Sequence, residues 1–160
     1  MRNAARLAFG IFLALTACGA AAPTLPPDAI ILPGAIADQL MRQCSRAVPP
    51  AYGGHWLPAA DDIAALEAAL PAALDAAHPG DTQLRNAPQG WRRQYGGFLR
   101  GGRHFIYGNF FPHEAGDDRP ADNDWRHAPM MVCDGGHAFF GVEYDVEGRR
   151  FTHLGFNGYP

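Results

Sequence analysis

Lysine is missing from this chain: all thirteen basic residues are arginine. Hydroxyl side chains are almost as scarce. Ser45 is the only serine, and beyond residue 17 the only threonines are Thr24, Thr82 and Thr152. Without lysine there is no Schiff-base amine and no Walker A lysine, and no serine stands in a G-x-S-x-G elbow. A basic excess is also missing. The formal net charge is −3, against the basic face that a nucleic-acid partner favours and against simple electrostatic docking on anionic lipid. No apolar run approaches the ~20 residues that span a bilayer; the run from Leu7 to Leu15 is nine residues long. Arginine in place of lysine, with abundant alanine and glycine, matches a GC-rich coding bias and carries no functional weight.

That short apolar run nevertheless has a recognisable setting. Arg2 and Arg6 precede it, and small residues follow, which is the anatomy of an export signal. Its last four residues, Leu15-Thr16-Ala17-Cys18, resemble a bacterial lipobox. The resemblance implies cleavage after residue 17 and acylation of Cys18. Several acyl chains on one cysteine would anchor the protein firmly without a transmembrane helix. The alternative is an ordinary secretory signal cut after Ala20 or Ala22, with Cys18 discarded. Gly19 follows Cys18 where an Asp would resemble an inner-membrane retention signal, so the outer membrane is the expected address. On this reading residues 1–17 are the signal peptide, 18–33 the lipidated cysteine and a Pro-rich tether, and 34–160 a single globular domain.

With Cys18 acylated, Cys44 and Cys133 remain in an oxidising compartment, where two cysteines pair. The competing reading is a free catalytic thiol at Cys133 with His137 as its base. No basic neighbour in sequence lowers the pKa of that thiol.

Periodicity divides the domain into helices first and strands afterwards. Ile36, Leu40 and Cys44 recur on one helical face within 34–47. Tyr52 to Trp56 reads as a loop. A stronger helix follows, with Pro58 in its first turn, Asp61 and Asp62 at its positive end and an apolar stripe of Ile63, Leu66, Leu70 and Leu74. Pro71 predicts a kink or break near Leu70, and Glu67, off the stripe, reads as a solvated charge. Trp91 to Arg100 and His104 to Phe111 form a hairpin about Gly101-Gly102. Both faces of the return strand carry bulk, which places it inside the sheet or between a helix and a partner. Met130 to Cys133 predicts a short strand, and His137–Val146 and Arg149–Phe156 a second hairpin with a bulge near Phe151. The sum is an α+β fold: N-terminal helices on an antiparallel sheet of about four to five strands in two hairpins.

Trp56-Leu57-Pro58, Arg93-Gln94-Tyr95-Gly96-Gly97-Phe98, Cys133-Asp134-Gly135-Gly136 and Phe156-Asn157-Gly158 resemble segments of small proteobacterial envelope lipoproteins that carry no assigned activity. The layout is similar in outline to cystatin-like folds, which implies nothing about function.

Candidate chemistry is sparse. The loop 112–127 holds Asp117, Asp118, Asp122, Asn123 and Asp124, oxygen donors for a Ca²⁺ ion, but their spacing departs from an EF-hand. His113, His127, His137 and His153 are scattered, with no zinc motif. Glu143 and Asp145 share a strand face read as exposed. Glu143, His137 and Glu114, with His153 across the hairpin, are the weak candidates for hydrolysis or proton transfer. No cofactor is implied. The expected role is a non-enzymatic binding domain. Its partner is an envelope protein or cell-wall component, met through outward-facing strand aromatics, and the acidic loop is fit to plug a basic cleft. An inhibitor or immunity protein against a periplasmic wall hydrolase is its narrower form. A small envelope hydrolase is the alternative.

Overall fold

The computed structural model describes residues 24–115 and 124–160. It is an α+β fold built on one mixed sheet. In chain order the strands are β1 (Ala29–Ile31), β2 (Gly54–Trp56), β3 (Trp91–Arg100), β4 (Arg103–Pro112), β5 (Phe140–Asp145) and β6 (Arg150–Phe156). The helices are α1 (Gly34–Asp38), α2 (Ala60–Ala77) and α3 (Thr82–Arg85). The spatial order is β1-β3-β4-β5-β6, and β2 also pairs with β3.

The two expected hairpins form the body of the sheet. Gly101 and Gly102 turn β3 into β4 at φ of 58° and 76°, a left-handed pair that glycine adopts without a Cβ clash. β4 lies between β3 and β5, as its two bulky faces require. The expected bulge is present: the β5–β6 register shifts between Glu143 and Tyr144, which brings Phe151 opposite Tyr144.

The sheet is larger than the sequence indicates, and it is not purely antiparallel. β1 runs parallel to β3 along Arg93–Tyr95, while β2 runs antiparallel to it along Gly97–Leu99. Two three-residue strands thus share one edge of β3. Residues 29–31, assigned to the tether, belong to the sheet, and His55 and Trp56 are strand rather than loop. Strands this short have no readable alternation; β3 recruits them. Gly97 is the condition for β2, because a Cβ there would stand 2.3 Å from the Trp56 carbonyl oxygen.

α2 covers one face. Ile63, Leu66, Leu70 and Leu74 are fully buried against Trp91, Tyr95, Ile106, Phe110, Phe140, Val142 and Tyr144. The helix does not break at Pro71 but continues as one element of 18 residues. Leu66, Leu70 and Leu74 anchor it to the sheet on both sides of the proline, and that packing outweighs the missing hydrogen bond. The helix starts later than the sequence suggests, with Pro58 ahead of it. The Asp62 carboxylate accepts the Ala59 N–H at 2.9 Å.

The other face is covered by the short α1, the 3-10 turn after it and irregular chain. Leu32, Ala37 and Leu40 pack on Phe98 and Tyr107, while Trp125 and Met130 pack on Phe111. The expected outward-facing aromatics are therefore internal: Phe105, Tyr107, Phe110, Phe111, Phe140 and Tyr144 are all buried. The first helix is shorter than its pattern. It passes into a 3-10 turn at Gln39–Met41, with Ala37 and Leu40 inward and Ile36 exposed. Residues 130–133 form no strand; they are coil held by side chains.

Candidate functional site

Glu143 lies on the face opposite α2 and is not solvated. Its side chain is 1% exposed. β5 presents it between Arg100 at the end of β3 and Thr152 on β6. Arg100 donates to both carboxylate oxygens at 2.8 Å each, and Thr152 Oγ1 donates to Oε1 at 2.5 Å. The Tyr52 hydroxyl donates to Oε2. Burial alone would raise the pKa of this carboxyl. The hydrogen bonds from Arg100, Thr152 and Tyr52 outweigh burial and hold it below the ordinary value. Burial and the bond to Glu143 push the Tyr52 phenol up. The Tyr52 ring stacks on Phe98 at 4.3 Å, and the Arg100 guanidinium lies over Phe105 at 4.1 Å.

The same logic recurs twice. The Asp145 side chain, 2% exposed, accepts from Arg103 at 2.6 Å and from the Gly148 N–H at 3.0 Å. On the α2 side, Glu67 accepts from Arg93 Nε at 3.0 Å and from the Tyr95 hydroxyl at 2.7 Å. Glu67 is thus no surface charge: its side chain is 13% exposed and ties the helix to β3. Each acid sits where an arginine from another element can neutralise it, Arg100 of β3 reaching Glu143 of β5 across β4, which is the condition for burying a carboxylate.

A longer polar seam runs beneath the irregular layer. Arg46 donates to Tyr107 Oη at 3.3 Å, to Asn157 Oδ1 at 3.0 Å, and to Asn109 Oδ1. Asn109 Nδ2 donates to Gln94 Oε1 at 3.1 Å and to the Met130 carbonyl at 2.9 Å. Gln94 Nε2 donates to the carbonyls of Trp125 and Ala128 at 2.5 and 2.7 Å. Asn157 Nδ2 donates to the carbonyls of Val132 and Asp134 at 2.6 and 2.7 Å. Arg46, Gln94, Asn109 and Asn157 are all buried. Burial lowers the Arg46 pKa, and the three groups it contacts are uncharged. The seam supplies the backbone partners that coil 125–134 would otherwise lack.

The other candidate residues fall apart in space. Glu114 is exposed in the turn after β4. His137 packs against His78, at the far end of β5 from Glu143. His153 stands opposite Glu143 in register, but its Nε2 meets the Ala47 carbonyl at 2.9 Å. Cys44 and Cys133 form a disulfide, so the thiol reading of Cys133 with His137 is overturned. Cys18, Asp117, Asp118, Asp122 and Asn123 lie outside the described residues. Asp124 accepts from the Arg126 N–H within its own turn, and chiefly for that reason its pKa is lowered. Among the described residues no three metal-ligating side chains cluster.

Arg46, Tyr52, Arg100, Asn109 and Thr152 carry the polar architecture and were not singled out as site residues in the sequence. One signal was present: Asn157, Gln94 and the Gly96-Gly97 pair stand within the resembling segments. Beside Tyr52 a recess of about 390 Å³ opens, lined by Asp38, Met41, Val48, Pro49, Ala51 and Tyr52. His55 Nε2 closes on Asp38 at 2.7 Å at its margin.

These features define a disulfide-tied α+β domain whose buried acids are engaged by arginines. No protein-family model matches the chain, and neither curated proteins nor solved structures show significant similarity to it.

Proposed function

We propose that this chain is a lipid-anchored cell-envelope protein whose domain binds an envelope protein or a cell-wall component without catalysing a reaction. The observation that carries the reading is the Cys44–Cys133 bridge, formed by two exposed cysteines. A disulfide open to solvent persists in an oxidising compartment, which accords with an export signal ending at Cys18. The anchor is the acylated Cys18, and the outer membrane is the address that Gly19 favours. The non-enzymatic part rests on Glu143. Its carboxylate is occupied by Arg100, Tyr52 and Thr152 and held ionised, the opposite of what a general acid needs. The narrower form is an inhibitor or immunity protein against a periplasmic cell-wall hydrolase.

The test is affinity capture with the full chain, disulfide intact, from envelope extract, followed by mass spectrometry. A stoichiometric partner supports the binding role and names its pathway. Nothing retained counts against a protein partner and moves the search to wall fragments. A Cys18→Ser protein should cease to partition into detergent; unchanged partitioning would sink the anchor.

A further inference from the structure

Two histidines 59 residues apart in sequence meet at one end of the sheet. The imidazoles of His78 and His137 lie 4.1 Å apart between centroids, inclined at 49°. Phe156 walls the pair at 4.5 and 5.2 Å, and the Tyr159 ring stands 5.6 Å from His137. Both histidines are half-buried, and no ring nitrogen of either hydrogen-bonds to a described residue. None of their ring nitrogens is among the buried polar atoms left without a partner, so each ring keeps nitrogen that solvent can reach and no described group engages.

The positions are firmly built. His78 caps the C-terminus of α2, where its N–H donates to the Leu74 carbonyl at 2.9 Å. α2 has no basic residue in its last turn, so its negative end has no cation of its own there. His137 sits in a 3-10 turn, Gly136–Ala138, four residues after the disulfide at Cys133. Asp134, Gly135 and Gly136 all take positive φ, at 74°, 88° and 61°. Two of the three are glycine, which takes that backbone without a Cβ penalty, so only Asp134 is held there at a cost. All three belong to the Cys133-Asp134-Gly135-Gly136 segment singled out in the sequence.

We propose that His78 and His137 form a binding site for one divalent transition-metal ion of the imidazole-preferring class, Cu²⁺ or Zn²⁺. Each neutral ring gives one nitrogen lone pair, water completes the coordination, and the end of α2 favours the added positive charge. Phe156 supplies an apolar wall that restricts solvent around the ion.

The experiment uses the full chain with its disulfide intact. Substoichiometric Cu²⁺ is added, and paramagnetic broadening is mapped by NMR on the unaltered protein, while Zn²⁺ affinity is read by calorimetry. The expected result is one equivalent, with broadening centred on His78, His137 and Phe156. His78→Phe and His137→Phe, which keep a ring in the stack, should each weaken Zn²⁺ binding at least about tenfold. The double variant should bind at least as weakly as either single one. Broadening centred on His55 and Asp38 or on His104 and Glu147, the same affinity in either variant, or no saturable equivalent would overturn the site.

Discussion

Arg46 donates from its guanidinium to Asn157 Oδ1 at 3.0 Å, across 111 residues of sequence. That bond joins two coil segments that no regular element holds. Arg46 precedes β2 and Asn157 follows β6, and both lie over the sheet face that α2 leaves uncovered. Through Asn157 the same contact reaches the carbonyls of Val132 and Asp134, and through Asn109 it reaches Gln94 and Met130. One buried arginine therefore organises the second layer of the fold.

Replacing Arg46 by Met should destabilise the protein by about 2–4 kcal/mol. The new side chain fills the space but leaves the Asn109 and Asn157 oxygens buried without a donor. Urea denaturation with the disulfide intact measures the loss. A change under about 0.5 kcal/mol would show that solvent enters the seam freely.

Glu143→Gln should cost about 1–3 kcal/mol, because Arg100 loses its ionic partner in a site that excludes water. Far-UV circular dichroism should remain native. If envelope hydrolysis were found and vanished in this variant at unchanged stability, the structural account of Glu143 would be wrong.

Acid should weaken the fold. The Glu143 pKa lies below its ordinary 4.5 in the folded state, so its stabilisation is complete above 4.5 and is lost as pH falls through the lowered value. Asp145 behaves alike from its ordinary 3.8: burial raises it, and the bonds from Arg103 and Gly148 outweigh burial. Thermal midpoints should be flat near neutrality and fall below pH 4.5. Glu143→Gln should show a shallower acid fall than the parent protein.

Leu70→Ala, at the centre of the α2 stripe, should cost about 2–5 kcal/mol through lost burial and a residual cavity. Equilibrium unfolding reads it directly. Ile36→Ala, on an exposed position, should stay within about 0.5 kcal/mol.

Replacing Cys44 and Cys133 by Ala should remove roughly 4–5 kcal/mol, the loop-closure value for a sequence separation of 89 residues. Thiol labelling of the folded protein should find neither Cys44 nor Cys133 free. One reactive thiol would contradict the pairing.

Much of the regular structure was legible because its signals are local. The stripe from Ile63 to Leu74 repeats with the helical period, and glycines at 101 and 102 suit only a tight turn. The alternation in Phe140, Val142 and Tyr144 names the inward face of β5. Local signals misled where long-range packing competed with them. Pro71 is carried inside a helix because four apolar residues bind that helix to the sheet. Glu67 lies off the stripe, yet Arg93 and Tyr95 draw it to the interface. The acids of β5 read as solvent-facing because an alternating strand is ordinarily wet on its polar face. Here irregular chain covers that face, and a coil carries no periodicity to announce it.

The chain's own pattern was sufficient for the α+β class, the α2 stripe, both hairpins and the pairing of two cysteines. These depend on spacing between near neighbours or, for the cysteines, on the expectation that Cys18 is acylated and leaves Cys44 and Cys133 to each other. Tertiary contacts alone placed β1 and β2 along β3 and buried Glu143 under Arg100 and Tyr52. They also threaded Arg46 to Asn157 and brought His78 against His137. Each of these is a pairing between distant residues. Its free energy arises from desolvation and geometry that exist only once the sheet has assembled.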